Sequence, residues 1–194
     1  MKKLLSFIAL LFVAGVLFTA CMQNPNIDVA EISLSNGTWY IITKSNSTYE
    51  DSETGEGVVF KSKEVEQLCN ISDGKGTFKS VKTVETFSVK LPSGTKPDTL
   101  YKVKEQLESK KDPDAEVTIK DTTVTMQLNK QASAEELAAA NAEPFSAVNM
   151  EKNYPEKATI KTNKKRNKYT VSFKKSIASG NFTEEKYEVT FVKK

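Results

Sequence analysis

Histidine is absent from all 194 residues, tryptophan and arginine occur once each (Trp39 and Arg166), and there are only two cysteines, Cys21 and Cys69. Without histidine there can be no Ser-His-Asp triad, no Cys-His dyad and no His-bearing zinc site. No glycine-rich phosphate loop stands between a strand and a helix. Carboxylate pairs and Ser-Lys chemistry need no histidine, but no spacing in the chain suggests either. The expectation is a protein that is not an enzyme and uses no cofactor. Two acidic groups raise the question of calcium: Asp112, Asp114 and Glu116 around Pro113, and Glu50, Asp51, Glu53 and Glu56 near Gly55 and Gly57. Neither has the ligand offsets of an EF-hand loop with its closing Glu, so both read as acidic loops and no metal is expected.

The scarcity of cysteine bounds the fold. If Cys21 is modified, Cys69 has no partner and the fold must rest on its core and backbone ladders alone. With no histidine to activate it, Cys69 reads as a small buried hydrophobe rather than a reactive thiol. A strong charge of either sign is also missing. The chain has 28 basic and 25 acidic residues, and setting aside Lys2 and Lys3 leaves 26 against 25. Near-neutrality argues against a dedicated nucleic-acid binder. Residues are 38% apolar and 27% charged, a globular balance.

Only one long apolar run exists, and it lies at the start. Met1-Lys2-Lys3 carries positive charge, Leu4 to Phe18 is apolar save for Ser6 and Gly15, and Thr19-Ala20 supplies small residues before Cys21. This is the three-part pattern of a secretory leader, and the run is short for a transmembrane helix. The segment Leu17-Phe18-Thr19-Ala20-Cys21 resembles the lipobox of bacterial lipoproteins, with Phe18 departing from the Leu usual three residues before the cysteine. The resemblance implies that residues 1–20 are removed, that Cys21 is the lipidation site, and that the chain is held in a membrane by acyl chains on it. Met22, rather than an Asp, follows the cysteine, which implies the outer membrane of a bacterial cell envelope. Residues 21–32 then read as a lipidated tether and 33–194 as a single β-rich domain.

Within that domain, alternation dominates. Thr38 to Thr43 is aromatic and β-branched and follows the turn pair Asn36-Gly37; Gly57 to Phe60 opens a second extended stretch. From Thr77 to Leu91 the chain reads as extended, but the apolar phase changes between Phe78 and the set Phe87, Val89, Leu91, predicting a bulge or tight turn near Val84. Val117 and Ile119, then Val124, Met126 and Leu128, change parity across Asp121-Thr122 and predict a hairpin. Tyr169, Val171, Phe173 and Tyr187, Val189, Phe191 form two more apolar faces, and alternation of this kind marks an antiparallel sheet with one wet face. Two helices are predicted, near 97–110 from Pro97, Leu100, Val103 and Leu107, and near 133–142 from the capping box Ser133/Glu136. The fold class expected is mainly β: an antiparallel up-and-down barrel or strongly curved sheet with two short helices, or else an α+β arrangement with helices on one face.

The motif Asn36-Gly37-Thr38-Trp39 resembles the Gly-x-Trp signature of the lipocalin-like (calycin) barrels. The resemblance implies that Gly37 permits a tight entry and that Trp39 plugs a closed end, with an interior for a small hydrophobic ligand. The usual C-terminal Arg over that indole is missing; Arg166 lies instead in a charged turn. That turn, Lys161 to Lys168, holds five bases, and reads as a solvated hairpin tip or as a contact for anionic lipid or polyanionic glycan. No aromatics interleave its bases for nucleic-acid stacking. Two functions are therefore expected as alternatives: a membrane-anchored binding domain for a small hydrophobic ligand, or a non-enzymatic structural or interaction protein meeting another envelope protein or a host surface.

Overall fold

The computed structural model describes residues 32–51, 57–179 and 182–194; Cys21, the leader and the tether before Ile32 lie outside them, as do Glu53 and Glu56. Within the described residues the chain forms β1 (Gly37–Asp51), β2 (Gly57–Ser72), β3 (Lys75–Lys90), α1 (Pro97–Glu108), β4 (Ala115–Lys120), β5 (Thr123–Gln131), α2 (Ala134–Ala140), β6 (Phe145–Ser146), β7 (Thr159–Thr162), β8 (Lys168–Ser179) and β9 (Phe182–Lys193). The protein is mainly β. Its strands make one antiparallel sheet in the order β4-β5-β3-β2-β1-β9-β8-β7, with β6 added beside β3. Among the described residues no pairing joins β4 to β7, so the sheet is open and the closed-barrel form of the expectation does not hold. Its two edges are strands of six and four residues carrying Lys120 and Lys161, short and charged as edges that resist further pairing are.

One face of the sheet is covered. Trp39 and Ile41 of β1 lie beside Cys69 of β2 and Phe191 of β9, and Phe191 beside Tyr169 of β8, through the ladder register. Together with Ile71, Phe78, Val81, Val171, Phe173 and Val189 they form the main core, closed from above by Ile32, Leu34, Ala147, Met150 and Ala158. A second, smaller core lies on the same face toward the other end, where Leu100, Val103 and Leu107 of α1 pack over Val89, Leu91, Val117, Ile119 and Val124. Between the two cores the strand positions facing inward become polar, as with Ser45, Ser47 and the pair Lys63–Glu85 at 2.8 Å.

The helices begin where local chemistry favours it. Pro97 sits in the first turn of α1 with Asp98 beside the free backbone N–H groups. The Ser133 hydroxyl accepts from the Glu136 N–H while the Ser133 N–H donates to the Glu136 carboxylate at 2.8 Å, a complete capping box for α2. Lys130 Nζ donates to the other Glu136 oxygen at 2.7 Å. That bond above all, then the Ser133 N–H, holds the Glu136 carboxyl below its ordinary 4.5. A depressed carboxyl contributes stability above 4.5 that is lost as pH falls through its lowered folded value. Glu136→Gln is therefore expected to lower the urea midpoint slightly at neutral pH and not at all once the wild-type carboxyl is protonated. An equal effect at both pH values would show that its charge is irrelevant.

The phase change in β3 is real but lies elsewhere than expected. Leu68 pairs with Ser80 and Cys69 with Phe78, leaving Lys79 as the extra residue of a bulge. Val84 sits in regular ladder, opposite Glu64 and Asn129. The bulge turns Phe78 and Val81, three apart, to the same face, so both join the main core.

Candidate functional site

The candidates are the sequence-marked positions and what surrounds them. Trp39 is wholly buried and its indole N–H donates to the Ser35 carbonyl at 2.7 Å. The ring lies 6.2 Å from Tyr169, tilted by 32°. Arg166, the one arginine, is exposed on the basic turn, and the ring neighbour of the indole is Tyr169. Gly37 has φ +125°, a conformation that favours glycine, and a Cβ there would come within 3.2 Å of the Lys193 side chain, which would have to shift slightly. The Gly37–Trp39 segment thus closes one end of the main core and is held by the last strand, whose Lys193 Nζ donates to Ser35 Oγ at 2.8 Å.

Cys69, paired in register with Trp39, is fully buried, and burial pushes its thiol up to about 11. It is a core side chain without the thiolate that reactivity needs. The Tyr154 and Tyr187 hydroxyls are likewise raised by burial, Tyr187 also by donating to Glu185 at 2.6 Å, while the Tyr187 ring stacks on Phe173 at 4.9 Å. Asp112 accepts from the Asp114 N–H at 3.0 Å, an ordinary acidic turn. Among the described residues no three His, Cys, Asp or Glu come together as metal ligands would, and no helix is long and apolar enough to cross a membrane.

Among the described residues lie two neighbouring depressions, of about 290 and 250 Å³. Both adjoin Asn46 and Lys186, the last paired rung of β1 and β9. Beyond that rung the β1–β2 and β8–β9 hairpins run on without pairing to each other. Lys44, Glu188 and Ser172 line one depression, Ser47, Thr48 and Glu184 the other. Polar side chains dominate both, and the buried Ser47 hydroxyl has no hydrogen-bond partner.

The basic turn that precedes β8 is exposed from Lys161 to Arg166 and again at Lys168. It lies beside the Trp39 end, because the Lys193 N–H donates to the Asn167 carbonyl at 2.9 Å and the Lys194 N–H to the Thr38 carbonyl at 2.9 Å. The structure thus brings Gly37, Trp39 and the Lys161–Lys168 turn to one end of the sheet, a proximity that 120 residues of separation hide from sequence reading. No family model matches this chain, and no curated protein matches it either.

Proposed function

We propose that the chain is a lipid-anchored, non-enzymatic protein of the bacterial envelope whose β-rich domain acts by surface contact with another envelope component. The anchor rests on the Leu17–Cys21 segment and the leader before it. The choice of surface contact over a hydrophobic ligand held inside rests on one observation. Where a lipocalin-like interior would lie open, Trp39, Val171 and Phe191 are packed to 0%, 0% and 1% exposure beneath an open sheet. Ligand pockets for apolar molecules are concave and largely apolar, whereas the two depressions beside Asn46 and Lys186 are bordered mainly by charged and hydroxyl- or amide-bearing side chains.

Two measurements test the two halves. Mass spectrometry of membrane-extracted protein is expected to show an acylated N-terminal Cys21 peptide, and Cys21→Ala to release the domain into the soluble fraction with its unfolding midpoint unchanged. An unmodified Cys21 in protein recovered from cells would end the anchoring half. For the other half, titration with long-chain fatty acids is expected to leave Trp39 emission unchanged. A saturable, one-to-one change would restore the ligand-holding function.

A further inference from the structure

The Trp39 end of the domain carries a block of positive charge in its basic turn. Lys161, Lys164, Lys165, Arg166 and Lys168 lie within eight residues that contain no acid, and Lys193 and Lys194 stand next to them in space. Among the described residues no carboxylate forms an ion pair with any of these seven, although lysines elsewhere in the sheet are paired, as Lys44 is with Glu64 and Lys174 with Glu184. The turn that displays them is held firmly. Asn163 Oδ1 accepts from the N–H groups of Asn167 and Lys168 at 3.1 and 3.2 Å, the Arg166 N–H donates to the Asn163 carbonyl at 2.9 Å, and Asn167 is bound in turn to β9. Carboxylates also lie at this end: Glu151 accepts from the Ile32 N–H at 3.0 Å, and Asp73 on the β2–β3 turn donates its backbone N–H to Asn36 Oδ1 at 3.0 Å.

That Ile32 N–H marks where the tether enters the domain. Cys21 stands 11 residues earlier, so the fully extended tether reaches at most about 40 Å. A tether entering at this end brings the basic turn within reach of the surface that holds it, and the charge then favours this end facing it. We infer that the turn Lys161–Lys168, with Lys193 and Lys194, docks the domain on an anionic lipid surface, so that the sheet stands on the membrane by its Trp39 end with the β4–β5 hairpin at Lys120 directed away. The inference builds on the anchored reading but is tested separately from it. The cations act as point charges attracted by headgroup phosphates, each contributing about fivefold to binding near the surface and weakening within a Debye length.

The test is a lysine footprint of the full chain on phosphatidylcholine vesicles with and without phosphatidylglycerol, read by mass spectrometry after brief treatment with an amine acylating reagent. Phosphatidylglycerol is expected to slow labelling of Lys161, Lys164, Lys165 and Lys168 by about tenfold or more, while Lys120 at the far end of the sheet labels equally on both. Salt near 1 M should abolish the difference. The triple variant Lys164→Glu/Lys165→Glu/Arg166→Glu, checked for unchanged Trp39 emission, should lose it at Lys161 and Lys168. Because both vesicles carry the same chain, acylated or not, an unmodified Cys21 would refute the anchor without disturbing this comparison. Equal labelling of the wild-type turn on the two vesicles would overturn the inference. So would protection by soluble dextran sulfate but not by phosphatidylglycerol, which would make the partner a polyanionic glycan.

Discussion

Replacing Trp39 by alanine is expected to cost about 3–5 kcal/mol, the range for truncating a large buried aromatic. The side chain has no exposed surface, contacts Tyr169, and spends its one polar atom on the Ser35 carbonyl, so its removal opens a cavity and frees the segment leading into β1. Single domains are stable by only about 5–15 kcal/mol, and the loss should therefore appear as a large drop in the urea midpoint. Lys165→Ala, on the exposed basic turn, should leave the midpoint where it is. The wild-type protein supplies its own probe, since all indole emission comes from this one residue. Native emission should be blue-shifted and protected from iodide. Freely quenched emission and an unmoved midpoint would contradict the packing.

What could be read in advance divides along a physical line. Elements whose inward positions are apolar were legible: α1 from Leu100, Val103 and Leu107, the β4–β5 hairpin from its parity change at Asp121, and β8 and β9 from Tyr169–Phe173 and Tyr187–Phe191. Asp121 has φ +52°, as the tight turn requires. The second half of β1 and the part of β2 that follows Phe60 gave no such signal. There the inward-facing residues are Ser45, Ser47 and Lys63, because that part of the sheet lies between its two cores, and alternation of hydrophobicity cannot reveal a strand that buries small hydroxyls and an ion pair. Ladder pairing of β1 with β2 and of β2 with β3 sustains those strands instead, and pairing leaves no trace in local composition. The bulge was misplaced for a related reason. Phase could be read only at Phe78 and from Phe87 onward, and Val81, which identifies Lys79 as the extra residue, is a single apolar position between polar neighbours. As for the candidate site, the basic turn and the Gly37–Trp39 motif were each visible, but their meeting at one end depends on β9 running back beside β1.

The second large effect is expected from a residue that no pattern marked. β3 is longer than its neighbour β5, which pairs with it only from Lys82 to Lys90, so the backbone from Lys75 to Val81 would form an open edge. Three separate groups close it. β6 pairs with Lys75 and Gly76, where the Phe145 ring lies so close that a Cβ on Gly76 would overlap it; the Ala132 N–H donates to the Val81 carbonyl at 2.8 Å; and between them stands Asn141, which follows α2. The Asn141 side chain accepts from the Phe78 N–H at 2.7 Å and donates to the Phe78 carbonyl at 2.9 Å, so a single amide reproduces both hydrogen bonds of a strand partner. Phe78 is itself a core residue, 7% exposed, beside the bulge, and its backbone has no other partner on this side. Asn141→Ala would leave a partly buried donor and acceptor unpaired, at a cost of about 1–3 kcal/mol for each group that water does not reach, so a loss of about 2–4 kcal/mol is expected. Asn141→Asp should recover only part of it, since a carboxylate can accept from the N–H but faces the Phe78 carbonyl with no proton to give. Hydrogen exchange locates the effect: the Phe78 amide should lose protection in Asn141→Ala by more than amides in β8 and β9, because only this edge is uncovered. With the edge open, β3 also becomes a template for another strand, and the variant should aggregate on heating where the wild type does not. A Phe78 amide as protected in Asn141→Ala as in the wild type, with an unmoved urea midpoint, would mean that β6 and Ala132 close the edge without the amide.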